Sequence, residues 1–324
     1  MRLAPPHGGR AVPRRGGGPR AAGRAGGGAG ARGGGGLNVV REPARLEQRP
    51  RAVALGTFDG VHVGHRRVLE AALAAGLTPT AVTFDPHPRV ALGYDVELLC
   101  SLERRLELIA EIGIEDALVV DFDLEVAKLS PEEFAERFLR PIGAEVVVAG
   151  TNFRFGRGRA GDLESLAQLG FDARPVPLVE SVSSSRVRDL LRNGEVERAA
   201  GMLGRPAEVS GVVVAGDARG GTLGFPTANI RPEAGVVVPG FGIYAGAAGS
   251  DRASISIGTN PHYGGEERRI EAFLLDFEGD LYGRELTIEL WARLRDERAF
   301  GSEAELVEQI ARDVEATRQA QRPA

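Results

Sequence analysis

Apolar and polar positions follow two different periods along this chain, and the change comes near residue 205. From residue 52 onward, short apolar runs alternate with amphipathic stretches. Runs at 52–55, 80–84, 117–121, 145–149 and 173–178 have the length and bounding turns of buried strands. Between them, the stretch after His65 places Val68, Leu69, Ala72 and Leu73 on one helical face, and Leu102, Leu106 and Ile109 recur at helical spacing. Ser130-Pro131-Glu132-Glu133 has the form of a capping box with proline at the first helical position. Such alternation predicts a doubly wound parallel sheet. Beyond residue 205 the runs at 209–214, 242–247, 254–257, 270–277 and 285–291 are separated by Gly, Pro and Asp turns, which predicts an antiparallel barrel. A closing helix starts at Ser302, with Glu305 three residues on, and turns Leu306, Ile310 and Val314 inward. Residues 186–204 read as a helical connector interrupted at Asn193-Gly194. The expected fold class is therefore α/β plus β, divided into 37–185, the connector 186–204, and 205–324.

Residues 1–36 break both patterns. They are Gly, Ala, Arg and Pro with almost no large apolar side chain, too little to offset the entropy of ordering, so a disordered tail is expected. Its arginines fit an RNA-binding or targeting segment, but it lacks the amphipathic apolar face of one; the simpler reading is a dispensable tail, or sequence upstream of a true first residue at Leu37. The tail also changes the reading of charge. Its seven arginines and no acid, within a net charge of −5, leave the remainder at −12. So acidic a body repels phosphate backbones, which argues against nucleic acid as a partner. The 324 residues, 43% hydrophobic and 26% charged, suit an ordinary two-domain globular protein. No apolar run approaches the roughly 20 residues of a membrane span. The single cysteine, Cys100, excludes an internal disulfide or a Cys-rich zinc site, and a reduced cytoplasm is the expected setting.

Candidate chemistry concentrates at the ends of the predicted parallel strands. Gly56-Thr57-Phe58-Asp59-Gly60-Val61-His62-Val63-Gly64-His65 leaves the first strand and opens the first helix. At such a junction small residues admit close backbone approach, and the helix start offers unpaired N–H groups and a favourable dipole to phosphate. His62 and His65, around Gly64, can both point at one triphosphate, where in-line adenylyl transfer needs charge stabilisation at the α-phosphate. Alone, His-x-Gly-His reads equally as a metal pair or as incidental surface histidines. Thr83-Phe84-Asp85-Pro86-His87-Pro88, Gly150-Thr151-Asn152-Phe153-Arg154-Phe155-Gly156 and Ser183-Ser184-Ser185-Arg186-Val187-Arg188 also follow strands. In a parallel sheet these loops converge on one crevice. Ser184, Ser185 and Arg188 there suit the β- and γ-phosphates of a leaving pyrophosphate.

With these motifs the chain resembles the nucleotidyltransferase superfamily, and Gly-Thr-Phe-Asp-Gly-Val-His with Thr-Phe-Asp-Pro-His-Pro resembles the prokaryotic bifunctional riboflavin kinase/FAD synthetase family. The fourth motif usually reads Ser-Ser-Thr in that family; Ser185 stands at the threonine here and keeps the hydroxyl. The resemblance implies a catalytic set of His62, His65, Asn152 and Arg188, with Gly56, Phe58, Asp59, Gly64, Asp85, Ser184 and Ser185 binding ATP or flavin.

The second half has no P-loop and no protein-kinase signature. Its segment 211–229 is glycine-rich without repetition, as suits a loop over phosphates, and Thr227 and Asn229 are neutral oxygen ligands able to complete magnesium coordination beside a nucleotide. Pro226-Thr227-Ala228-Asn229 resembles the riboflavin kinase signature, and the likeness continues through Pro239-Gly240-Phe241-Gly242-Ile243-Tyr244, Gly258-Thr259-Asn260-Pro261 and Ile270-Glu271-Ala272-Phe273. The resemblance implies that Thr227 and Asn229 hold Mg2+, that Glu271 is the general base, and that Gly216, Gly220, Gly224 and Pro226 line the nucleotide site. His262, where the family commonly has threonine, is the one departure near the flavin side. Phe273, Leu275 and Phe277 share the parity of Glu271, so an unbroken strand would place Glu271 on the apolar face. The implied activity is conversion of riboflavin to FMN and of FMN to FAD, each with ATP. One working domain beside a degenerate one would lack some of these groups, yet every expected group is present.

Overall fold

The computed structural model describes residues 36–215, 225–259 and 268–324. The tail expected at 1–36 lies, but for Gly36, outside them. Strands β1 (Asn38–Val40), β2 (Arg51–Leu55), β3 (Thr78–Asp85), β4 (Asp116–Asp121), β5 (Ala144–Gly150) and β6 (Asp172–Val176) form one sheet in the order β1-β4-β3-β2-β5-β6. Every neighbouring pair is parallel. All five residues of β2 are buried, as a central strand covered on both faces requires. Alternation along it divides the core: Ala52 and Ala54 pack with Val68, Leu69 and Ala72, while Val53 and Leu55 pack with Phe134 and Leu139 on the other face.

The helices of this half are α1 (Val63–Leu73), the short α2 (Pro88–Ala91), α3 (Leu102–Glu111), α4 (Pro131–Phe134) and α5 (Leu163–Gln168). The capping box at Ser130 is formed. Two expectations shift. The buried stripe of α3 is Arg105, Leu108 and Ile109, with Leu102 and Leu106 only partly covered, so an arginine faces inward. β6 stops at Val176 because Pro177 has no N–H to continue the ladder, and Leu178 is exposed.

The second half is a closed barrel of β7 (Ala207–Val214), β8 (Ala228–Pro232), β9 (Gly242–Ala248), β10 (Asp251–Thr259), β11 (Arg268–Leu274) and β12 (Glu285–Arg295), in the order β10-β11-β8-β7-β12-β9. β8 carries Asn229 and had no period of its own in the sequence. The register of β11 corrects the parity argument. The strand ends at Leu274, its core face is Ile270, Ala272 and Leu274, and Glu271 and Phe273 are half-buried on the opposite face.

Helices α6 (Ser184–Arg192) and α7 (Val196–Leu203), separated at Asn193-Gly194, form the connector. Their buried Val187, Leu190, Leu191, Val196, Ala199 and Leu203 belong to the same core as the barrel strands. The segment before α3 joins it too: Leu98 N donates to Gly235 O at 2.6 Å, Val237 N donates to Leu98 O at 2.8 Å, and Leu99 is part of that core. Arg104 of α3 donates from Nε and one terminal nitrogen to the two carboxylate oxygens of Glu208 at 2.9 and 3.0 Å. The closing helix, α8 (Glu303–Gln319), is capped by Ser302. Its fully buried positions are Asp313, paired with Arg295 at 2.7 Å, and Thr317; Leu306, Ile310 and Val314 are only partly buried.

Candidate active sites

A cavity of about 810 Å³ opens at the carboxyl edge of the parallel sheet. It gathers the loops that follow β2, β3, β5 and β6, as the parallel topology requires. Gly56, Phe58, His62, Gly64, His65, Asn152, Ser184, Ser185 and Arg188 all line it. Asp59 and Asp85 do not. Asp85 is held by Arg41 at 2.8 Å, and Asp59 is buried behind the loop. Two helices, α1 and α6, begin at this cavity, so their unpaired N–H groups and dipoles favour anions from two directions.

His62 is the N-cap of α1, and its Nδ1 accepts a hydrogen bond from the backbone N–H of His65 at 3.2 Å. A proton on Nδ1 would break that bond, so Nε2 carries the hydrogen and is the donor. The two rings stack, with centroids 3.6 Å apart and planes 11° from parallel. Gly64 makes this possible: a Cβ there would lie 3.1 Å from Cε1 of His62. Burial, only partly opposed by the nearby Asp59, pushes the His62 imidazolium down to about 4. Burial, His62 and Arg105 hold His65 well below its ordinary value. At neutral pH the stacked pair is uncharged, and two imidazoliums at this distance would repel.

Three arginines hold Thr57, Asp59 and Gly60 of the loop between β2 and α1. Arg105 of α3 donates to Thr57 O at 3.0 Å, to Phe84 O at 2.9 Å and to the Thr83 hydroxyl at 3.2 Å. Arg188 of α6 donates to the Asp59 carboxylate and to Glu97 O, so its guanidinium is tied to the protein behind the loop. Arg205, at the entry to the barrel, donates to Gly60 O at 3.0 Å. Ser184 adds a bond to Asp59 O at 3.0 Å, and the second Asp59 oxygen accepts from Leu99 N at 2.8 Å. The loop needs such anchoring, because Phe58 (φ 51°) and Val61 (φ 38°) are left-handed residues with side chains.

In the barrel, Asn229 and Glu271 face each other across the β8–β11 ladder. Arg269 lies between them, donating from Nε to Asn229 Oδ1 at 2.9 Å and pairing with the Glu271 carboxylate. Both oxygens thus already converge on a cationic group, the donor chemistry that a metal ion would meet there. Thr227 is half-buried two residues before Asn229, and Pro226 is exposed. Gly216, Gly220, Gly224 and His262 lie outside the described residues. Tyr244 is fully buried with its hydroxyl on Gly240 O, so the Pro239–Tyr244 motif packs the barrel onto α6, where Gly240 N donates to Leu191 O at 2.8 Å.

Four residues near these sites escape sequence reasoning. His87 lines the crevice as the N-cap of α2, its Nδ1 accepting from Arg89 N at 3.1 Å; Asp-Pro-His-Pro was the available signal. Arg105 and Arg269 read as ordinary polar positions. Glu297 carries a carboxyl raised by burial and, against the opposing charge of Arg295, by Glu271, which places a second acid near the expected base. Among the described residues no helix is long and apolar enough to cross a membrane.

The anion-favouring crevice on a parallel sheet defines a nucleotidyltransferase-like half joined to a barrel half, and the two halves have separate family matches. The FAD synthetase model covers residues 44–187 and the riboflavin kinase model residues 203–321. Relatives match both together. The bifunctional riboflavin kinase/FMN adenylyltransferase of Bacillus subtilis is 36% identical over 82% of this chain and 91% of its own length, and that of Escherichia coli K12 is 34% identical over 86% and 96%. A crystal structure of a Streptococcus pneumoniae protein described as a macrolide-efflux protein superposes with a TM-score of 0.79 at 30% identity, over 87% of this chain and 98% of that one. The chain belongs to the bifunctional riboflavin kinase/FMN adenylyltransferase family. It is an enzyme of flavin cofactor biosynthesis that phosphorylates riboflavin to FMN and transfers an adenylyl group from ATP to FMN, giving FAD and pyrophosphate.

Proposed function

We propose that the two reactions are divided between the two sites: adenylyl transfer in the crevice of a domain spanning 37–185, and riboflavin phosphorylation at the β8–β11 face of a domain spanning 205–324, with 186–204 as connector. The observation that carries this reading is the meeting of two helix N-termini and two neutral histidines at one cavity. For adenylyl transfer, an FMN phosphate oxygen attacks the α-phosphorus of ATP and pyrophosphate leaves. The attacking oxygen is already anionic, so no base is required. The His62 Nε2–H donates to the α-phosphate as its charge builds, His65 and Asn152 complete the donor set, and Ser184, Ser185 and the start of α6 receive the pyrophosphate. Gly56, Phe58 and Gly64 shape the wall. Arg188 and Asp59 act from behind as a buried pair that fixes the loop, and Asp85 binds through Arg41 rather than facing ATP.

For phosphorylation, the ribityl hydroxyl of riboflavin attacks the γ-phosphorus, its proton passes to the Glu271 carboxylate, and ADP leaves. The Thr227 hydroxyl and Asn229 Oδ1 suit Mg2+, which when bound neutralises phosphate charge. Gly216, Gly220, Gly224 and Pro226 belong to the loop over the nucleotide. A cytoplasmic setting, with ATP and flavins rather than nucleic acid as partners, agrees with the lone buried Cys100 and the acidic body.

The division is tested by assaying each variant from riboflavin and separately from FMN at saturating Mg-ATP. His65→Ala should lower FAD formation by about 10²–10³ and spare FMN formation. Glu271→Gln should lower riboflavin phosphorylation by about 10²–10⁴ and spare FAD formation from supplied FMN. A folded His65→Ala protein that loses both steps, or an unimpaired Glu271→Gln, would show the assignment wrong.

A further inference from the structure

Arg105 is 1% exposed, yet no carboxylate lies within ion-pairing distance of it among the described residues. Its donated hydrogen bonds go to two carbonyls and one hydroxyl, and its Nε is buried with no partner. A buried cation in such a setting is expensive unless an anion balances it. The acceptors show where that anion belongs. Thr57 lies just beyond β2 and Phe84 is the last residue but one of β3, and both line the crevice at which α1 and α6 begin. The field of Arg105 also reaches the crevice histidines, acting with burial to keep His65 and His87 neutral.

We propose that Arg105 is a positioning residue for adenylyl transfer: its guanidinium clamps the carbonyl ends of β2 and β3 beneath the crevice and takes the triphosphate of the bound nucleotide as its missing counter-charge. The inference rests on the reading of the crevice as the adenylyl-transfer site. Arg105 does not line the cavity and touches no reacting atom. It acts by holding Thr57 and Phe84 and by setting a positive potential under the phosphates, whose benefit is large because the guanidinium is shielded from water. The same charge explains why the two stacked histidines work as neutral donors: additional cations above a buried arginine would be mutually repelled.

The test uses the full-length chain and inorganic pyrophosphate, the leaving group, as a binding probe read by calorimetry. Arg105→Met keeps most of the side-chain volume and removes the charge. It should weaken pyrophosphate binding and lower kcat/KM for ATP in the FMN reaction by roughly 10- to 100-fold, less than loss of a direct donor. Riboflavin phosphorylation in the same polypeptide should stay within about two-fold of normal, which controls for folding. Arg105→Lys should restore pyrophosphate binding, because the charge returns even though the fork geometry does not. Should Arg105→Met lose riboflavin phosphorylation as well, and so be misfolded, Arg105→Lys compared with Arg105→Gln decides on the same readouts. Unchanged pyrophosphate binding in the neutral variant, or no recovery with lysine, overturns the proposal. His65→Ala run alongside separates the two failures: intact FAD formation there would sink the crevice reading itself, whereas an inactive His65→Ala beside an unaffected Arg105→Met would sink Arg105 alone.

Discussion

Arg51 and Arg105 are each 1% exposed and sit at opposite edges of the same parallel sheet, but they are neutralised differently. Arg51 starts β2 at the amino edge, where its terminal nitrogen meets the Asp116 carboxylate that starts β4. Its remaining donors reach Thr80 Oγ1 and Glu47 O at 2.9 Å and Ile142 O at 2.8 Å. Every nitrogen of that guanidinium is satisfied within the protein. Arg105, at the carboxyl edge, has no carboxylate in reach among the described residues and an orphaned Nε. A cation closed off by the protein's own anion belongs to the fold. One left open beneath a crevice at which two helices begin is, on the proposal above, balanced by the substrate.

The sharpest break of the comparison is to make the amino edge resemble the carboxyl edge. Asp116→Ala strands Arg51 as an uncompensated buried charge, and such losses cost about 3–5 kcal/mol. That is a large share of the roughly 5–15 kcal/mol by which domains are stable. Both reactions should therefore fail together, with a matching fall in the denaturation midpoint. Selective loss of FAD formation from a stable Asp116→Ala protein would mean that the amino edge also serves catalysis.

Acid should separate the two edges by pH. Folding lowers the His62 value from 6.5 to about 4. Between those values the unfolded chain binds a proton that the folded chain refuses, so this contribution is whole above pH 6.5 and is lost on descending toward 4. The shift corresponds to about 3 kcal/mol at most, and His65 acts in the same direction. Asp116 is the opposite kind of group. Burial works to raise it, but hydrogen bonds from Arg51, Asn38 and Arg49 together hold it below 3.8. Its contribution is present above pH 3.8 and disappears only below that. Thermal midpoints followed from pH 8 to 3 should show an upper limb that flattens in His62→Asn, which keeps a capping side chain, and a lower limb that flattens in Asp116→Asn. An unaltered upper limb in His62→Asn would remove His62 from the account.

The sequence made one edge far more legible than the other. The crevice loops announce themselves because glycine and histidine sit where a run of apolar strand residues stops, and a parallel sheet has only one edge on which such loops can gather. The partners of buried charges are not written locally. Arg188 meets Asp59 across 129 positions, and Arg105 sits beside Arg104 in a stretch that reads as solvated helix. Only the turn of α3, set by Leu108 and Ile109, sends one arginine inward to the sheet and the other outward to Glu208. The face of Glu271 was misread for a related reason: the ladder breaks after Leu274, so the apolar residues beyond it say nothing about register within β11. β8, whose residues are held by β7 and β11 on either side, is a strand by its neighbours more than by its own pattern.

Arg205 sharpens the comparison with the smallest effect, since it stands between the two cases. Its side chain is 14% exposed, Glu208 is 3.8 Å away, and its Nε is orphaned like that of Arg105. Burial lowers its pKa, with Glu208 in partial opposition. Through a 3.0 Å bond to Gly60 O it reaches from the barrel entry to the strained phosphate loop. Gly60 is itself left-handed (φ 76°), and a Cβ there would lie 2.6 Å from Leu99, so this peptide has little freedom beyond what its anchors allow. Because Arg188, Arg105 and Ser184 would still hold the neighbouring residues, Arg205→Met should cost about 1 kcal/mol of stability. It should lower FAD formation by only about three- to ten-fold through misplacement of the loop. Riboflavin phosphorylation, read in the same samples, should not change. If Arg205→Met instead impaired phosphorylation and left FAD formation intact, the residue would belong to the barrel's own chemistry, and the carboxyl edge of the sheet would have to be explained without help from the second half of the chain.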